Sequence, residues 1–276
     1  EELIAFMREV KLFEQGLPGL RRRLRQRASV VAFAPPKLVI RTFGRAEVRI
    51  GDRLLTNADW QTQFARDLFF LLLAHPEGMM KEVIGALFWP EISPEELKLR
   101  FKNTIYRVRR MVGKHTILLE DDYYRFNRNQ DYDYDVDDYQ KQLQQASQAK
   151  EPREQIEHYQ AALKLYRGDF MPSQEETWAL IEREHLAQLY REALLAMAGL
   201  HLNAGEPQTA LTFCLQALEK DACDEAAHRL AMQIHGALGN RAAVARQFDH
   251  CRTALLEELN TQPSSQTLEI FNSLMH

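Results

Sequence analysis

The sequence has 276 residues, of which 45% are hydrophobic and 27% are charged. This length is sufficient for two domains with separate hydrophobic cores, and no apolar run is long enough to cross a membrane. Because no long apolar stretch follows a basic N-terminus either, we expect a cytoplasmic protein without a signal peptide and without a membrane role.

The net charge of −4 conceals an uneven distribution of charge along the chain. Residues 1–34 carry seven basic and four acidic side chains, and residues 35–114 carry fourteen and nine. Residues 115–276, in contrast, carry fourteen basic and twenty-six acidic side chains. A basic segment ahead of an acidic one is typical of nucleic-acid binding joined to helices that contact other proteins.

Residues 1–36 form a segment distinct from the rest of the chain. Glu1–Phe13 has the apolar spacing of an amphipathic helix, and the basic cluster Arg21–Arg25 lies between the turn signals Gly16–Gly19 and Pro35-Pro36. The chain begins with Glu1 rather than Met. We therefore expect this segment to be the end of a missing upstream domain, such as a sensor or an ATPase, followed by a basic linker.

Residues 37–130 have the element order of a winged helix-turn-helix domain. Short apolar runs interrupted by glycines between Lys37 and Leu55 predict strands, and apolar residues at helical spacing then predict three helices. Two further runs, Thr116–Leu119 and Tyr123–Phe126, predict a closing hairpin around the turn Asp121-Asp122. Strands, three helices and a hairpin in this order predict an α+β winged helix-turn-helix.

The third predicted helix has the clearest start signal in the sequence. Ser93 can cap it, Pro94 suits its first turn, and Glu96 completes a capping box. At about 100° per residue, its apolar residues form one stripe that must face the core. The stripe consists of Leu97, Phe101, Ile105, Val108 and Val112.

The opposite face of this helix is polar and strongly basic. Residues 97–114 contain seven basic side chains and no acidic one, a composition that suits a phosphate-rich groove. Asn can pair with adenine and Arg or Lys with guanine, whereas any cation can contact phosphates. A basic surface that contacts only solvent is the alternative, and the surrounding winged-helix order disfavours it. The centre and flanks of this face consist of Asn103, Tyr106, Arg110, Lys102 and Arg107.

Residues 131–276 are predicted to form an all-α domain of helical repeats. Beyond Val136 nearly every stretch has apolar residues at steps of three and four. Gly205-Glu206-Pro207 and Gly239-Asn240-Arg241 each precede a helix and are offset by 34 residues, which is the tetratricopeptide period. The repeat is degenerate, so we expect a TPR-like solenoid of paired helices rather than an ideal array.

Two sets of motifs give the sequence a specific resemblance to a known family. The first set consists of Phe43-Gly44, Trp60, Arg66-Asp67-Leu68, Leu87-Phe88-Trp89-Pro90 and Asn103–Arg110. The second set consists of Leu165–Pro172, Trp178, Gly205, Ala210, Gly239 and Pro263-Ser264. With these motifs in this order, residues 37–274 resemble transcriptional activators of the SARP type. Those proteins have an OmpR/PhoB-type winged helix followed by a bacterial transcriptional activation domain.

The resemblance implies a transcription regulator, specifically an activator, whose third helix enters the major groove of double-stranded DNA. It implies contacts to bases from Lys102, Asn103 and Tyr106, and contacts mainly to phosphates from Arg110 and Lys114. The expected role of Arg107 stays open between the two. The predicted DNA contacts are Arg100, Lys102, Asn103, Tyr106, Arg107, Arg110, Lys114 and Arg125.

The resemblance also implies protein partners. The loop between the second and third helices is expected to contact RNA polymerase, and the helical domain is expected to provide dimer contacts, polymerase contacts or both. The loop consists of Trp89, Pro90, Glu91, Ile92 and Ser93.

The predicted wing departs from the family pattern. Its turn is Asp121-Asp122, where the wider family often has Gly or basic residues, and two carboxylates are repelled by a phosphate-lined groove. A wing contact is therefore expected only from Tyr123, Arg125 or Arg128.

Other chemistry is disfavoured by the sequence. No phosphate-binding loop, zinc-hydrolase or nucleophile-elbow motif occurs, so we expect neither an enzyme nor a cofactor. Asp131, Asp133 and Asp135 alternate as in a calcium-binding loop, but Val136 stands where that loop needs Gly. The preferred interpretation is an acidic connector that ends in an N-cap, with Asp135 or Asp137 starting the next helix.

A second class of function stays open at this point. In that alternative, the protein is a helical-repeat scaffold or adaptor whose basic winged helix binds protein rather than DNA. DNA binding that weakens as salt is added would distinguish the regulator from the scaffold.

Overall fold

The computed structural model describes residues 38–276, so the helix and linker predicted for residues 1–36 lie outside the described residues. The described chain divides into two compact units. The first comprises residues 38–136 and Phe170–Arg183, and the second comprises Asp137–Asp169 and Glu184–His276. The chain thus passes between the units more than once, whereas the sequence suggested a single division after residue 130. No helix of residues 38–276 is long and apolar enough to cross a membrane.

The first unit contains a four-stranded sheet. Its strands are β1 (Leu38–Arg41), β2 (Glu47–Ile50), β3 (Arg53–Leu54) and β7 (Tyr132–Tyr134). They lie in the order β3-β2-β1-β7, with β1 antiparallel to β2 and parallel to β7. Gly44 and Gly51 lie in the turns that follow β1 and β2, with φ values of 79° and 58° that glycine adopts without steric strain. The first three strands confirm the prediction.

Three helices and a second sheet complete this unit. The elements are α1 (Gln63–Ala74), β4 (Met79–Met80), α2 (Lys81–Phe88), α3 (Pro94–Val112), β5 (Ile117–Glu120) and β6 (Tyr123–Phe126). The second sheet has the order β4-β6-β5, and its β5–β6 hairpin has Glu120 opposite Tyr123. Strands, three helices and a closing hairpin form the predicted winged helix-turn-helix. Leu68 and Leu72 of α1 are fully buried in its core, whereas Phe64 is 43% exposed.

Strand β7 is absent from the sequence prediction, which placed an acidic connector there. Tyr132 and Tyr134 are each 1% exposed, and the strand pairs with β1. The Asp135 carboxylate accepts hydrogen bonds from the backbone N–H groups of Thr42 and Phe43, at 2.8 and 3.1 Å. Burial raises the pKa of Asp135, and these hydrogen bonds oppose the rise. The alternating acidic residues therefore belong to a strand and its end rather than to an irregular connector.

The segment after residue 169 packs against the turn that follows β1. Phe170 is fully buried and its backbone pairs with Phe43 in an isolated bridge. The N–H of Met171 donates to the carbonyl oxygen of Thr42 at 2.9 Å. Arg183 donates to the carbonyl oxygens of Phe170 and Gln174, both at 2.7 Å. This segment is therefore part of the first unit.

Residues 135–276 contain seven helices. They are α4 (Asp135–Gln148), α5 (Pro152–Leu165), α6 (Thr177–Asn203), α7 (Pro207–Lys220), α8 (Glu225–Ala237), α9 (Arg241–Leu259) and α10 (Ser265–Met275). Gly205 and Gly239, the residues offset by 34 positions, precede α7 and α9 with φ values of 78° and 70°. Small buried side chains such as Ala198, Ala210 and Ala231 pack together between α6, α7 and α8. This arrangement confirms the predicted TPR-like fold.

Candidate nucleic-acid interface

Helix α3 is defined at both ends by local interactions. The Ser93 hydroxyl accepts a hydrogen bond from the backbone N–H of Glu96 at 3.3 Å, and Pro94 occupies the first turn. At the other end, Gly113 has a φ of 115°, and Arg109 and Arg110 lie in the last turn, where cations favour the helix dipole. The sequence predicted both ends, because each end depends on residues within one turn of it.

One face of α3 packs into the core of the winged helix. Phe101, Ile105, Val108 and Val112 are at most 5% exposed, in agreement with the predicted stripe. Leu97 is only half-buried; it approaches Gly85 of α2 so closely that a Cβ atom there would lie 2.5 Å from a Leu97 methyl carbon. The other residues of the stripe lie against the core, so the opposite face of α3 is free of core contacts.

Side chains of α3 contact the β5–β6 hairpin. The rings of Phe101 and Tyr124 meet edge to face at 4.7 Å between centroids. The guanidinium of Arg109 donates two hydrogen bonds to the carbonyl oxygen of Ile117, at 2.8 and 3.2 Å. One aromatic contact and one bidentate hydrogen bond thus join α3 to β5 and β6.

The predicted DNA-contacting side chains occupy the opposite face as expected. Lys102, Asn103, Tyr106 and Arg110 are exposed, and Tyr106 reaches 63%. Arg107 is half-buried. Arg100, nearer the start of the helix, is also exposed, and its guanidinium pairs with the Glu96 carboxylate at 2.6 Å. Lys114 lies beyond the end of the helix and is exposed as well.

A groove of about 740 Å³ runs between α3 and the β4–β5–β6 sheet. Phe101, Ile105, Leu119 and Tyr124 provide apolar surface in it, and no acidic residue lines it within the described part of the chain. Six cations at the edge of an apolar groove create a strongly positive potential. Its basic lining residues are Lys81, Lys98, Lys102, Arg109, Arg110 and Lys114.

The sequence prediction missed part of this groove. Lys81, Lys98 and Arg109 line it but are not among the predicted contacts. Lys98 and Arg109 lie in the basic run, and their spacing from Lys102 places them on the same side of α3, which is a signal that the sequence contains. Lys81 starts α2, and only the packing of α2 against β4 and α3 brings it to the groove.

A smaller pocket of about 220 Å³ lies on the other side of α3. Its lining includes Asn103 and two cations, and also aromatic carbon from α1 and from the loop after α2. The exposed face of α3 therefore lies between two concave surfaces. The lining residues of the smaller pocket are Thr62, Phe64, Trp89, Arg100, Asn103, Thr104 and Arg107.

The predicted polymerase-contacting loop has one buried residue, and its other residues are exposed or half-buried. Trp89 is 7% exposed, and its ring lies 5.2 Å from Phe64 and 5.8 Å from Phe88 between centroids. Pro90, Glu91 and Ser93 are exposed, and Ile92 is half-buried. Trp89 thus packs the loop onto the domain, and the exposed residues after it form the accessible surface.

The wing is acidic at its tip. Asp121 and Asp122 form the β5–β6 turn with φ values of 49° and 66°, and both are exposed. Arg125, the predicted wing contact, lies 3.6 Å from the Glu120 carboxylate. Arg128, the third candidate besides exposed Tyr123, donates to the carbonyl oxygen of Leu73 at 2.8 Å and therefore stabilises the fold. Three consecutive carboxylates thus stand at the tip of the hairpin.

Helix α1, which packs against α3, contains a buried carboxylate. Asp67 of α1 is 2% exposed, and its pKa is raised to about 6, chiefly because burial disfavours the charged form. The nearby Glu176 adds repulsion, whereas Arg66, 3.5 Å from the carboxylate, opposes the rise. Asp67 belongs to a motif of the resemblance, and the structure places it in the packing of the unit rather than on the exposed face of α3.

Comparisons with known proteins agree with this architecture. The structure is similar to one described as Mycobacterium tuberculosis EmbR in complex with low affinity phosphopeptide, with a TM-score of 0.71 and 13% sequence identity. The match covers 87% of this chain and 65% of the EmbR chain, and at this identity it concerns the fold alone. No curated protein sequence is significantly similar to the chain.

The family assignment follows from the C-terminal half. The sequence profile of the bacterial transcriptional activator domain matches residues 134–275, which is just over half of the chain. Together with the winged helix before it, this match confirms the resemblance to SARP-type activators. The chain therefore belongs to the family defined by the bacterial transcriptional activator domain.

Proposed function

We propose that this protein is a DNA-binding transcriptional activator that recognises a specific duplex sequence through α3 and recruits RNA polymerase. The single observation that supports this most strongly is the cation-lined groove beside the exposed face of α3. We further propose that it acts in the cytoplasm as a regulator without catalytic activity of its own.

Phosphates and bases are proposed to contact different parts of α3. Lys102, Asn103 and Tyr106 contact base edges, because they lie exposed in the middle of the helix. Arg110 and Lys114 contact phosphates from the C-terminal end.

The remaining predicted contacts have supporting roles. Arg100 and Arg107 line the pocket on the other side of α3, so we assign them to phosphates of the flanking backbone. Arg125 is the proposed wing contact, but its carboxylate neighbour Glu120 offsets its charge.

We propose that the loop after α2 contacts RNA polymerase. Pro90, Glu91, Ile92 and Ser93 form the contact surface, and Trp89 holds the loop in place from inside the domain. The TPR-like helices are proposed to supply further protein contacts, either with polymerase or with a second copy of the chain.

DNA binding is tested by titration of a labelled duplex at increasing salt. Each phosphate that the protein neutralises contributes about −0.9 to the slope of log K against log salt concentration, so several contacts give a steep slope. Selection of bound sequences from random DNA supplies the duplex. A selection that enriches no duplex even at low salt would favour the scaffold alternative, in which the winged helix binds protein.

The polymerase contact is tested separately. Glu91→Lys is expected to reduce activated transcription in a reconstituted assay while it leaves promoter affinity close to that of a matched control. Glu77→Lys is that control, because Glu77 is also exposed in the winged helix and undergoes the same change of charge. Equal transcription by the two variants would contradict the assignment of the loop.

A further inference from the structure

Leu99 lies on the exposed face of α3, with 61% of its surface accessible to solvent. The core stripe of the same helix is nearly inaccessible, with Phe101 at 2% and Val108 at 0%. Nine residues at about 100° each bring Val108 to the opposite side of the helix from Leu99. Leu99 therefore has no part in the core, and its apolar surface faces away from the domain.

Leu99 lies on the same exposed face of α3 as several proposed DNA contacts. Asn103, Tyr106 and Arg110 follow it by four, seven and eleven residues, which places each within about 40° of Leu99 around the helix axis. Basic side chains flank this face on both sides, in the groove and in the smaller pocket. An aliphatic side chain in the middle of such a surface cannot contact phosphates favourably, so any contact that it makes with DNA is with an apolar group.

The major groove of DNA offers one apolar group of the right size. An A·T pair presents the C5 methyl group of thymine beside the hydrogen-bonding edge of adenine. Asn pairs with that adenine edge, whereas Leu, which has no polar atom in its side chain, can contact only the methyl group. The four residues from Leu99 to Asn103 span about 6 Å along the helix axis, which corresponds to about two base-pair steps of 3.4 Å.

We infer that Leu99 contacts the C5 methyl group of a thymine about two base pairs from the base that Asn103 contacts. This inference rests on the proposed function, because it requires α3 in the major groove. It adds a specificity-determining residue outside the predicted contacts, and it requires an A·T pair at that place in the bound sequence.

The test uses duplexes selected from random DNA by the 276-residue chain. Each thymine is replaced singly by deoxyuridine, which lacks the C5 methyl group but pairs in the same way, and Kd is measured for the wild type and for Leu99→Ala. One replacement is expected to weaken wild-type binding about fourfold, the loss expected for one buried methyl contact. Leu99→Ala is expected to bind the thymine duplex several-fold more weakly than the wild type, and to bind the thymine and deoxyuridine duplexes equally.

Leu256→Ala is the matched control, because Leu256 is 50% exposed but lies on α9. It is expected to keep the wild-type preference for thymine. Thermal unfolding checks that Leu99→Ala is folded, as expected for an exposed helical site where Ala is a strong helix former.

Three results would overturn the inference. They are a Leu99→Ala protein that keeps the wild-type preference for thymine, a wild type that is indifferent to every thymine in the site, and an unchanged affinity of Leu99→Ala, which would assign Leu99 to a protein contact. A selection that enriches no duplex would instead contradict the proposed function itself.

Discussion

Helix α3 and the β5–β6 hairpin border the same groove, but their charges are opposite. The helix contributes Lys98, Lys102, Arg109 and Arg110 to the lining. The hairpin ends in three exposed carboxylates, and its Arg125 pairs with one of them. Both regions have the backbone that a winged helix requires, so the difference lies in the surface residues alone.

This difference separates what the fold requires from what binding requires. The buried stripe of α3 and the ring contact between Phe101 and Tyr124 position both regions, and they are indifferent to surface charge. Phosphate attraction depends on the charges of the exposed side chains. We therefore expect α3 to provide nearly all of the affinity for DNA, and the tip of the wing to oppose it.

The largest expected effect comes from removing the aromatic contact between α3 and the hairpin. Phe101→Ala should lower the free energy of unfolding by about 3–5 kcal/mol, because a buried aromatic ring is replaced by a cavity. Urea unfolding measures this change, and DNA binding should be lost together with folding. Leu99→Ala on the same helix is the control and should leave stability nearly unchanged. A folded Phe101→Ala protein with normal affinity would contradict the role of this ring in positioning α3.

The next largest effect concerns the buried carboxyl group of Asp67 in α1, and it depends on pH. The folded-state pKa of Asp67, about 6, lies above its ordinary value of 3.8. The carboxyl therefore stabilises the fold most when protonated, and stability from this group falls as pH rises from about 4 to about 6. Above that range, Asp67→Asn should raise the free energy of unfolding by about 2–3 kcal/mol.

Urea unfolding of the wild type and of Asp67→Asn from pH 4 to pH 8 checks this prediction. The difference between the two proteins should increase between pH 4 and pH 6 and stay constant above pH 6.5. A difference that does not vary with pH would show that the ionisation of Asp67 is not coupled to folding. Because Asp67 lies away from the exposed face, base preference should be unaffected and serves as the internal control.

The third prediction compares two exposed side chains of α3, one proposed to contact a base and one proposed to contact phosphate. Asn103→Ala should weaken binding by about 1–3 kcal/mol and relax the preference at one base position, because its amide is proposed to contact a base. Arg110→Ala should weaken all sequences nearly alike and reduce the salt slope by about one. Affinities for a selected site and its single-base variants distinguish the two. A folded Asn103→Ala protein with unchanged base preferences would refute the assignment.

The smallest expected effect tests the wing. Asp122→Asn removes one carboxylate from the tip and should strengthen DNA binding about twofold at low salt, with the gain disappearing at high salt. Asp52→Asn is the matched control, since Asp52 is an exposed turn residue in the other sheet of the same unit. An equal effect of the two substitutions would show that only net charge matters and that the wing does not approach the DNA.

The elements of the winged helix that the sequence predicted are those with local signals. The start of α3 depends on Ser93, Pro94 and Glu96, which are consecutive or nearly so, and its end depends on Gly113. The exposed positions of Lys102, Asn103 and Tyr106 follow from helical spacing once the apolar stripe is known. The repeat in the helical part was predictable for a similar reason, because Gly205 and Gly239 mark equivalent turns.

The features that the sequence did not predict depend on contacts between distant residues. Strand β7 pairs with β1 across more than ninety positions, and the Asp135 carboxylate binds the backbone of Thr42. The alternation of Asp with Tyr or Val over residues 131–136 is compatible with a strand, but no local pattern indicates that β1 is its partner. The burial of Trp89 against Phe64 was not predictable from the sequence either, because it requires contact between α1 and the loop after α2.

The sequence by itself determined the order of the elements, the ends of α3 and the basic character of its exposed face, because hydrophobic spacing, capping and charge operate within a few residues. Only the tertiary structure decided that Lys81 joins the groove, that Arg109 is bonded to Ile117, and that Trp89 packs against Phe64. These placements depend on how helices and strands pack, and packing is set by the shape of the whole core rather than by any one segment.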